Sequence, residues 1–203
     1  MIAALYLAAG NSKRMGEHKL SLPLRNEPVG NHALSVLLTS PFVDFVIVIT
    51  QPDDDLNWIT PVNKLLLNGK KGKVINCDES SLGQSYSLKK GFRAAIEQQA
   101  EKILVCLADQ PFITHDMIDK IVTTPLHPPY KYVASMHNGV YKPPILFHQS
   151  ALSDVNQLEG DKGARKLLKD GILQGKKIEF SEEEYFIDID TKNDYEKVLK
   201  RRE

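Results

Sequence analysis

A glycine-punctuated turn, Gly10-Asn-Ser-Lys-Arg14-Met-Gly16-Glu-His-Lys19, carries three basic side chains and follows directly on an apolar opening run, residues 2–8. Glycine lets a backbone approach a ligand closely, and fixed cations beside such a backbone suit a triphosphate. The spacing matches neither common phosphate loop. Gly10, Gly16 and Lys19 do not satisfy Gly-x-x-x-x-Gly-Lys-Ser/Thr, and Gly-x-Gly-x-x-Gly is absent, which disfavours an ordinary P-loop ATPase or a dinucleotide dehydrogenase. A run of charge is often only a solvated surface turn. Position after a buried first strand favours the phosphate reading.

Three further segments carry candidate chemistry. Asp109 follows the continuous apolar run 102–108, where a carboxylate is well placed to hold Mg²⁺ against phosphate oxygens. It stands too far upstream of the next helix to be its cap. The Ser80-Ser-Leu-Gly83-Gln-Ser85-Tyr-Ser87 stretch runs straight into helical spacing, and the N–H groups of a helix start can receive an anion or a base edge. Serine is equally an ordinary N-cap. In Phe186-Ile-Asp188-Ile-Asp190-Thr191 the alternation sends both carboxylates to one face of a strand, where one could complete a metal site, with helix capping by the Asp-Thr pair as the alternative. Ser-His-Asp hydrolysis finds no Gly-x-Ser-x-Gly elbow, and His18 and His137 read as loop histidines rather than bases.

These residues need a scaffold that delivers them to one edge. Continuous Val/Ile/Leu-rich runs at 2–8, 45–50, 73–77, 102–108 and 132–136 fit strands covered on both faces. Helical spacing lies between them at 30–39, 56–67, 85–98 and 114–122. Alternation of strand and helix predicts a mostly parallel α/β sheet with right-handed crossovers, whose ligands bind beyond the carboxyl ends of the strands. His137-Asn-Gly139 reads as a hairpin turn. Two prolines in Tyr141-Lys-Pro-Pro-Ile-Leu-Phe147 predict an irregular or edge strand rather than a central one. Short helices are expected near 149–155 and at 164–169, a strand near 177–180, and a last helix from Lys192 to about Arg201 with Thr191 as N-cap. No linker or repeat divides the chain, so residues 1–203 are read as one domain.

Lys+Arg and Asp+Glu both number 26 in 203 residues, leaving no basic field for a nucleic-acid backbone. The opening run is far too short to span a membrane and reads as a strand, not a signal, so neither nucleic acid nor membrane is an expected partner. Cys77 and Cys106 read as reduced core residues, and the six histidines lack zinc spacing. The expected compartment is the cytoplasm.

Taken together the motifs resemble the MobA-like nucleotidyltransferases, and within them the molybdenum cofactor cytidylyltransferases. The resemblance rests on Leu7-Ala-Ala-Gly10-x-Ser-x-Arg14-Met-Gly16-x-x-Lys19, Gly83-x-Ser85-x-Ser87-Leu88, Leu107-Ala-Asp109-Gln-Pro111, Pro144-Ile-Leu-Phe147, Gly160-Asp161-x-Gly163-Ala-Arg165 and Asp188-Ile-Asp190-Thr191, and covers nearly the whole chain. It implies a Rossmann-like α/β fold of the nucleotide-diphospho-sugar transferase type, with helices on both faces of the sheet. By that resemblance Arg14, Lys19 and Asp109 are the catalytic set. Leu7, Ala8, Ala9, Gly10, Gly83 and Ser85 join Arg14 and Lys19 around the nucleotide, Ser87, Asp161 and Arg165 meet the acceptor, and Asp109 with Asp190 holds Mg²⁺. The reaction it implies is CMP transfer from CTP to a phosphorylated pterin, the molybdenum cofactor, serving a recipient molybdoenzyme such as the xanthine dehydrogenase of purine catabolism. Ala9 stands where the guanylyl-transferring branch usually has Gly. The chain departs from the family at Lys142-Pro143 and Tyr86, both expected on the acceptor side. Rival readings are a sugar-phosphate or other phosphate nucleotidyltransferase, and a non-catalytic cofactor carrier, against which intact Arg14, Lys19 and Asp109 speak.

Overall fold

The computed structural model describes residues 1–10, 15–16, 18–169, 171 and 173–200. In chain order the elements are β1 (Ile2–Leu7), β2 (Pro23–Leu24), β3 (Glu27–Pro28), α1 (Val29–Thr39), β4 (Phe45–Thr50), α2 (Pro61–Leu66), β5 (Gly72–Asn76), α3 (Gln84–Glu97), β6 (Lys102–Leu107), α4 (His115–Thr123), β7 (Tyr132–His137), β8 (Val140–His148), α5 (Leu152–Val155), α6 (Ala164–Lys169), β9 (Gly175–Glu179) and α7 (Lys192–Lys200). Seven strands form one sheet in the order β5-β4-β1-β6-β8-β7-β9. Every neighbouring pair is parallel except the two that involve β8.

The apolar runs are continuous because both faces of the sheet are covered. Ala4, Tyr6, Val46, Val48, Leu104 and Cys106 pack on one face with α1 and α4 residues such as Leu34 and Ile118. Their alternating neighbours Leu5, Ile47, Ile49, Ile103 and Val105 pack on the other with Leu88 and Phe92 of α3. The second layer is tight: a Cβ at Gly91 of α3 would come within 2.9 Å of Leu5. Both cysteines are free and buried, as expected. No helix among the described residues is long and apolar enough to cross a membrane.

Three expectations are corrected. β8 is an interior strand despite Pro143 and Pro144. Its ladder with β6 begins only at Ile145, and its register against β7 jumps from Lys142 to Ile145, so the prolines fall in a bulge where no ladder N–H is required. The hydroxyl of Ser135 donates to the Pro144 carbonyl at 2.7 Å and satisfies that acceptor instead. The helix expected from residue 56 begins at Pro61: Leu56 has a positive φ, and Thr60, held extended before proline, caps the helix by accepting from the Asn63 N–H. Residues 187–190 join no strand ladder; they follow a 3₁₀ turn, Glu183–Phe186, as extended chain held by a hydrogen bond from the Ile189 N–H to the Asp109 carbonyl at 3.0 Å. The hairpin at 137–140 forms with Asn138 and Gly139 both at positive φ, as a two-residue turn of this hand requires.

Candidate functional site

The carboxyl ends of β1, β4 and β6 are tied together in register. The Ala8 N–H donates to the Ile49 carbonyl at 2.8 Å, and the Ala108 N–H to Leu7 at 3.1 Å. Ala8 and Ala9 are therefore buried, and Gly10 is the first exposed residue of the turn. From the end of β4, Gln51 reaches over and donates through Nε2 to the carbonyls of Ala9 and Gly10 at 3.3 and 3.1 Å. Arg14 lies outside the described residues, with the rest of 11–14 and 17. Met15 re-enters the protein against Leu24, Val29 and Ile189, and a 3₁₀ turn, Lys19–Ser21, then delivers Lys19.

Lys19 is the centre of the site. Its side chain is only 7% exposed, and Nζ lies 2.6 Å from Asp109 Oδ2 and 2.9 Å from Asp190 Oδ1. Burial works against the ammonium, but the paired carboxylates outweigh it and hold its pKa above the ordinary lysine value. The two carboxylates favour its charged form. Lys19 and Asp109 face Leu7, Ala8 and Gly10 across a hollow of about 20 Å³, close to one water in size.

Asp190 is brought in by the cap of α7. Thr191 Oγ1 accepts from the Asp194 N–H at 3.2 Å, while Asp194 Oδ2 accepts from the N–H groups of Thr191 and Asp190 at 2.8 and 3.3 Å. That exchange serves the helix start and turns the Asp190 carboxylate to Lys19. Asp188, the other carboxylate of the pair that the sequence put on one face, also faces the site: its Oδ1 accepts from Gln110 Nε2 at 2.8 Å. Burial, then the charge of Asp109, raises its pKa, against the Gln110 hydrogen bond. Extended chain between 187 and 190 had already implied this shared face; what the sequence lacked was a sign that Asp109 draws the segment in through its own carbonyl.

The carboxylates suit a hard divalent cation. Asp109 Oδ1 is buried with no hydrogen-bond partner, the kind of oxygen a cation would take up. Among the described residues no three His, Cys, Asp or Glu side chains converge into a closed metal cage. Mg²⁺ binds in that manner, through one or two carboxylates plus water and substrate phosphate.

Beside the hollow, sharing Leu7, opens a cleft of about 290 Å³ lined by Gln84, Gln110, Asp161, Arg165 and Asp188 among others. Asp161 and Arg165, the residues expected to meet an acceptor, both line it. Pro143 lines this cleft, and Lys142 beside it is close enough for its charge to act on Asp188. The Gly83–Ser87 segment packs on the loop before α6. Gly83, at φ 131°, lies backbone to backbone on Gly160, where a Cβ would come within 2.2 Å, and the Ser85 N–H donates to the Gly160 carbonyl at 3.1 Å. The Ser85 amide is therefore taken by the protein and is not open to a base edge. Ser87 is buried close to Cys77 and is not among the residues lining the cleft. Tyr86 lines a separate groove with Ile75, Lys89 and Arg93 on the far side of α3, not the acceptor cleft.

Residues 4–177 match the model of the MobA-like NTP transferase domain. The chain belongs to this family. It is 34% identical over 199 residues to the purine catabolism protein PucB of Bacillus subtilis (strain 168), covering 97% of this chain and 95% of that one. It is 29% identical over 122 residues to a probable molybdenum cofactor guanylyltransferase of Mycobacterium avium (strain 104), covering 60% and 56%. Among solved structures it superposes on Rv0371c from Mycobacterium tuberculosis H37Rv with a TM-score of 0.80 at 24% identity, covering 98% and 97% of the two chains. A second structure of that protein, complexed with manganese, gives a TM-score of 0.74 at 21% identity and 98% coverage of both. The MobA-like sheet, with one antiparallel strand among parallel ones, is the nucleotide-diphospho-sugar transferase type, and the chain is a nucleotidyltransferase.

Proposed function

We propose that the protein transfers CMP from CTP to the molybdenum cofactor in a Mg²⁺-dependent reaction that releases pyrophosphate, in the cytoplasm, for a recipient molybdoenzyme such as a xanthine dehydrogenase. The observation that carries this reading is the meeting of Lys19, Asp109 and Asp190 at a hollow that shares Leu7 with the Asp161–Arg165 cleft. Donor and acceptor then lie side by side, as in-line displacement requires. Kinship with a purine catabolism protein supports the choice of molybdoenzyme, and kinship with a cofactor guanylyltransferase supports the pterin acceptor.

An oxygen of the acceptor's terminal phosphate forms a bond to the α-phosphorus, the bond from that phosphorus to the β-phosphate bridge breaks, and pyrophosphate leaves with the electron pair. Lys19 leaves its carboxylates for the phosphates and, with Arg14, offsets charge building on the leaving group. Asp109, with Asp188 and Asp190 beside it, would hold Mg²⁺, which when bound neutralises phosphate oxygens. The attacking phosphate is already an anion near neutral pH, so no general base is needed.

Ala9 supports CTP over GTP. It is buried at the start of the turn among core residues, and in this reading its methyl would narrow the room left for the base next to it, which a one-ring pyrimidine tolerates better than a two-ring purine. One methylene in a pocket is worth about 1–3 kcal/mol, so Ala9→Gly weakens the preference without inverting it. Mass spectra of products formed from CTP or GTP with Mg²⁺ and molybdenum cofactor, with kcat/KM for wild type and Ala9→Gly, test the reading. Equal use of both nucleotides by the wild type overturns the cytidylyl assignment.

A further inference from the structure

Gln110 follows Asp109 on the turn after β6, is 1% exposed, and forms part of the floor of the 290 Å³ cleft. Its amide orientation is fixed chemically. The Asp188 carboxylate at 2.8 Å accepts hydrogen bonds, so the NH₂ group faces it and the carbonyl oxygen Oε1 turns the other way. That oxygen is buried and has no hydrogen-bond partner. A glutamine whose donor is spent and whose acceptor is left dry is a costly residue to keep in a core, because an unsatisfied buried carbonyl loses its full desolvation energy.

We infer that Gln110 Oε1 is a specificity determinant for the acceptor, receiving a hydrogen bond from an N–H or O–H group that the acceptor carries close to its reacting phosphate. The inference rests on the reading of the cleft as the acceptor site. Closeness follows from the chain: Asp109 and Gln110 are consecutive, about 3.8 Å apart at Cα, so a group that reaches Gln110 lies within a few ångströms of the phosphate chemistry at Asp109. The remainder of the acceptor then extends toward Asp161 and Arg165. The substrate class this selects is a phosphorylated heterocycle or polyol with a donor beside the phosphate. A simple alkyl phosphate lacks the donor and is refused, since a site built to hydrogen-bond a substrate group rejects analogues without it.

Steady-state kinetics of Gln110→Met and Gln110→Asn, with CTP, Mg²⁺ and molybdenum cofactor as the acceptor, test this. Met keeps the volume without the amide; Asn keeps the amide but withdraws it by one methylene. Both variants are expected to raise the acceptor KM about tenfold or more, leave the CTP KM within about twofold, and leave kcat at saturating acceptor within about threefold. Melting temperature guards against misfolding, and if the Met variant does not fold the Asn variant carries the test. An unchanged acceptor KM, or an equal rise in the CTP KM, overturns the inference; so does a fall in kcat alone, which would make Gln110 a prop for Asp188. Asp109→Asn is assayed alongside. If Asp109→Asn stays active the underlying reading of the site has failed, whereas an inactive Asp109→Asn with unmoved Gln110 variants refutes only the role of Gln110.

Discussion

The two halves of the sheet are built to different standards. On one side β5, β4, β1 and β6 are all parallel, and the interior residues of β1, β4 and β6 are buried almost without exception. On the other, β8 runs against its neighbours, β7 and β8 slip register at a bulge, and the covering helices α5 and α6 are four and six residues long. The first half presents Leu7–Gly10 and Asp109 from strand ends locked by hydrogen bonds. The second presents Asp161 and Arg165 from an exposed loop and a short helix. In the function proposed above, the phosphate contacts of Leu7–Gly10 and Asp109 would fall on the half with locked strand ends, while Asp161 and Arg165 would meet the acceptor from the half whose loops can be rebuilt at smaller energetic cost.

The contrast breaks most severely at Asp109. Asp109→Asn keeps the size of the side chain but removes its charge, and turnover is expected to fall about 10³-fold or more with the circular dichroism spectrum retained. A rate within threefold of wild type at limiting Mg²⁺ would remove Asp109 from the metal site. Lys19→Ala is expected to lower kcat roughly 10²-fold while cytidine affinity hardly changes, since its ammonium serves phosphates rather than the nucleoside. Cytidine titration by calorimetry checks this; affinity that collapses with turnover would make Lys19 a purely structural cation. Arg165→Ala probes the other half. Exposed as it is, Arg165 should cost only about three- to tenfold in acceptor KM, with the CTP KM unchanged, and a matching rise in both would erase the division of labour.

The smallest effect concerns pH. His18 Nε2 lies 3.6 Å from Asp54, whose hydrogen bond and charge raise the histidine pKa despite partial burial. A raised folded pKa means that stabilisation is complete below the unfolded value near 6.5 and is lost as pH rises through the folded one. His18→Ala should therefore lower the melting temperature slightly at pH 6 and not at about pH 9. A pH-independent difference would show that packing, not charge, holds this segment.

Much of this was legible in the residues. An uninterrupted apolar run ending in a lone carboxylate marked Asp109, and glycine spacing with basic residues marked the turn, because buried parallel strands leave an unmistakable pattern. At Gly83–Ser87 the residues alone left the fate of the Ser85 amide open. A serine-rich helix start looks the same whether its amides await a ligand or are taken by a distant loop, and only the contact with Gly160 distinguishes the two. The pairing of Gln110 with Asp188 escaped notice since nothing local couples residues 78 positions apart. The prolines of β8 misled because a bulge, which removes the need for their missing donors, depends on its partner strand.

The seam between Gly83 and Gly160 has a practical bearing on redesign. Backbones that touch with no side chain between them cannot be shimmed, so the start of α3 and the loop before α6 behave as one part although 77 residues separate them in the chain. Anyone grafting a foreign loop before α6 would have to keep the α3 start that fits it, and libraries that randomise position 83 will spend most of their diversity on misfits at the joint, because any Cβ there meets the Gly160 backbone.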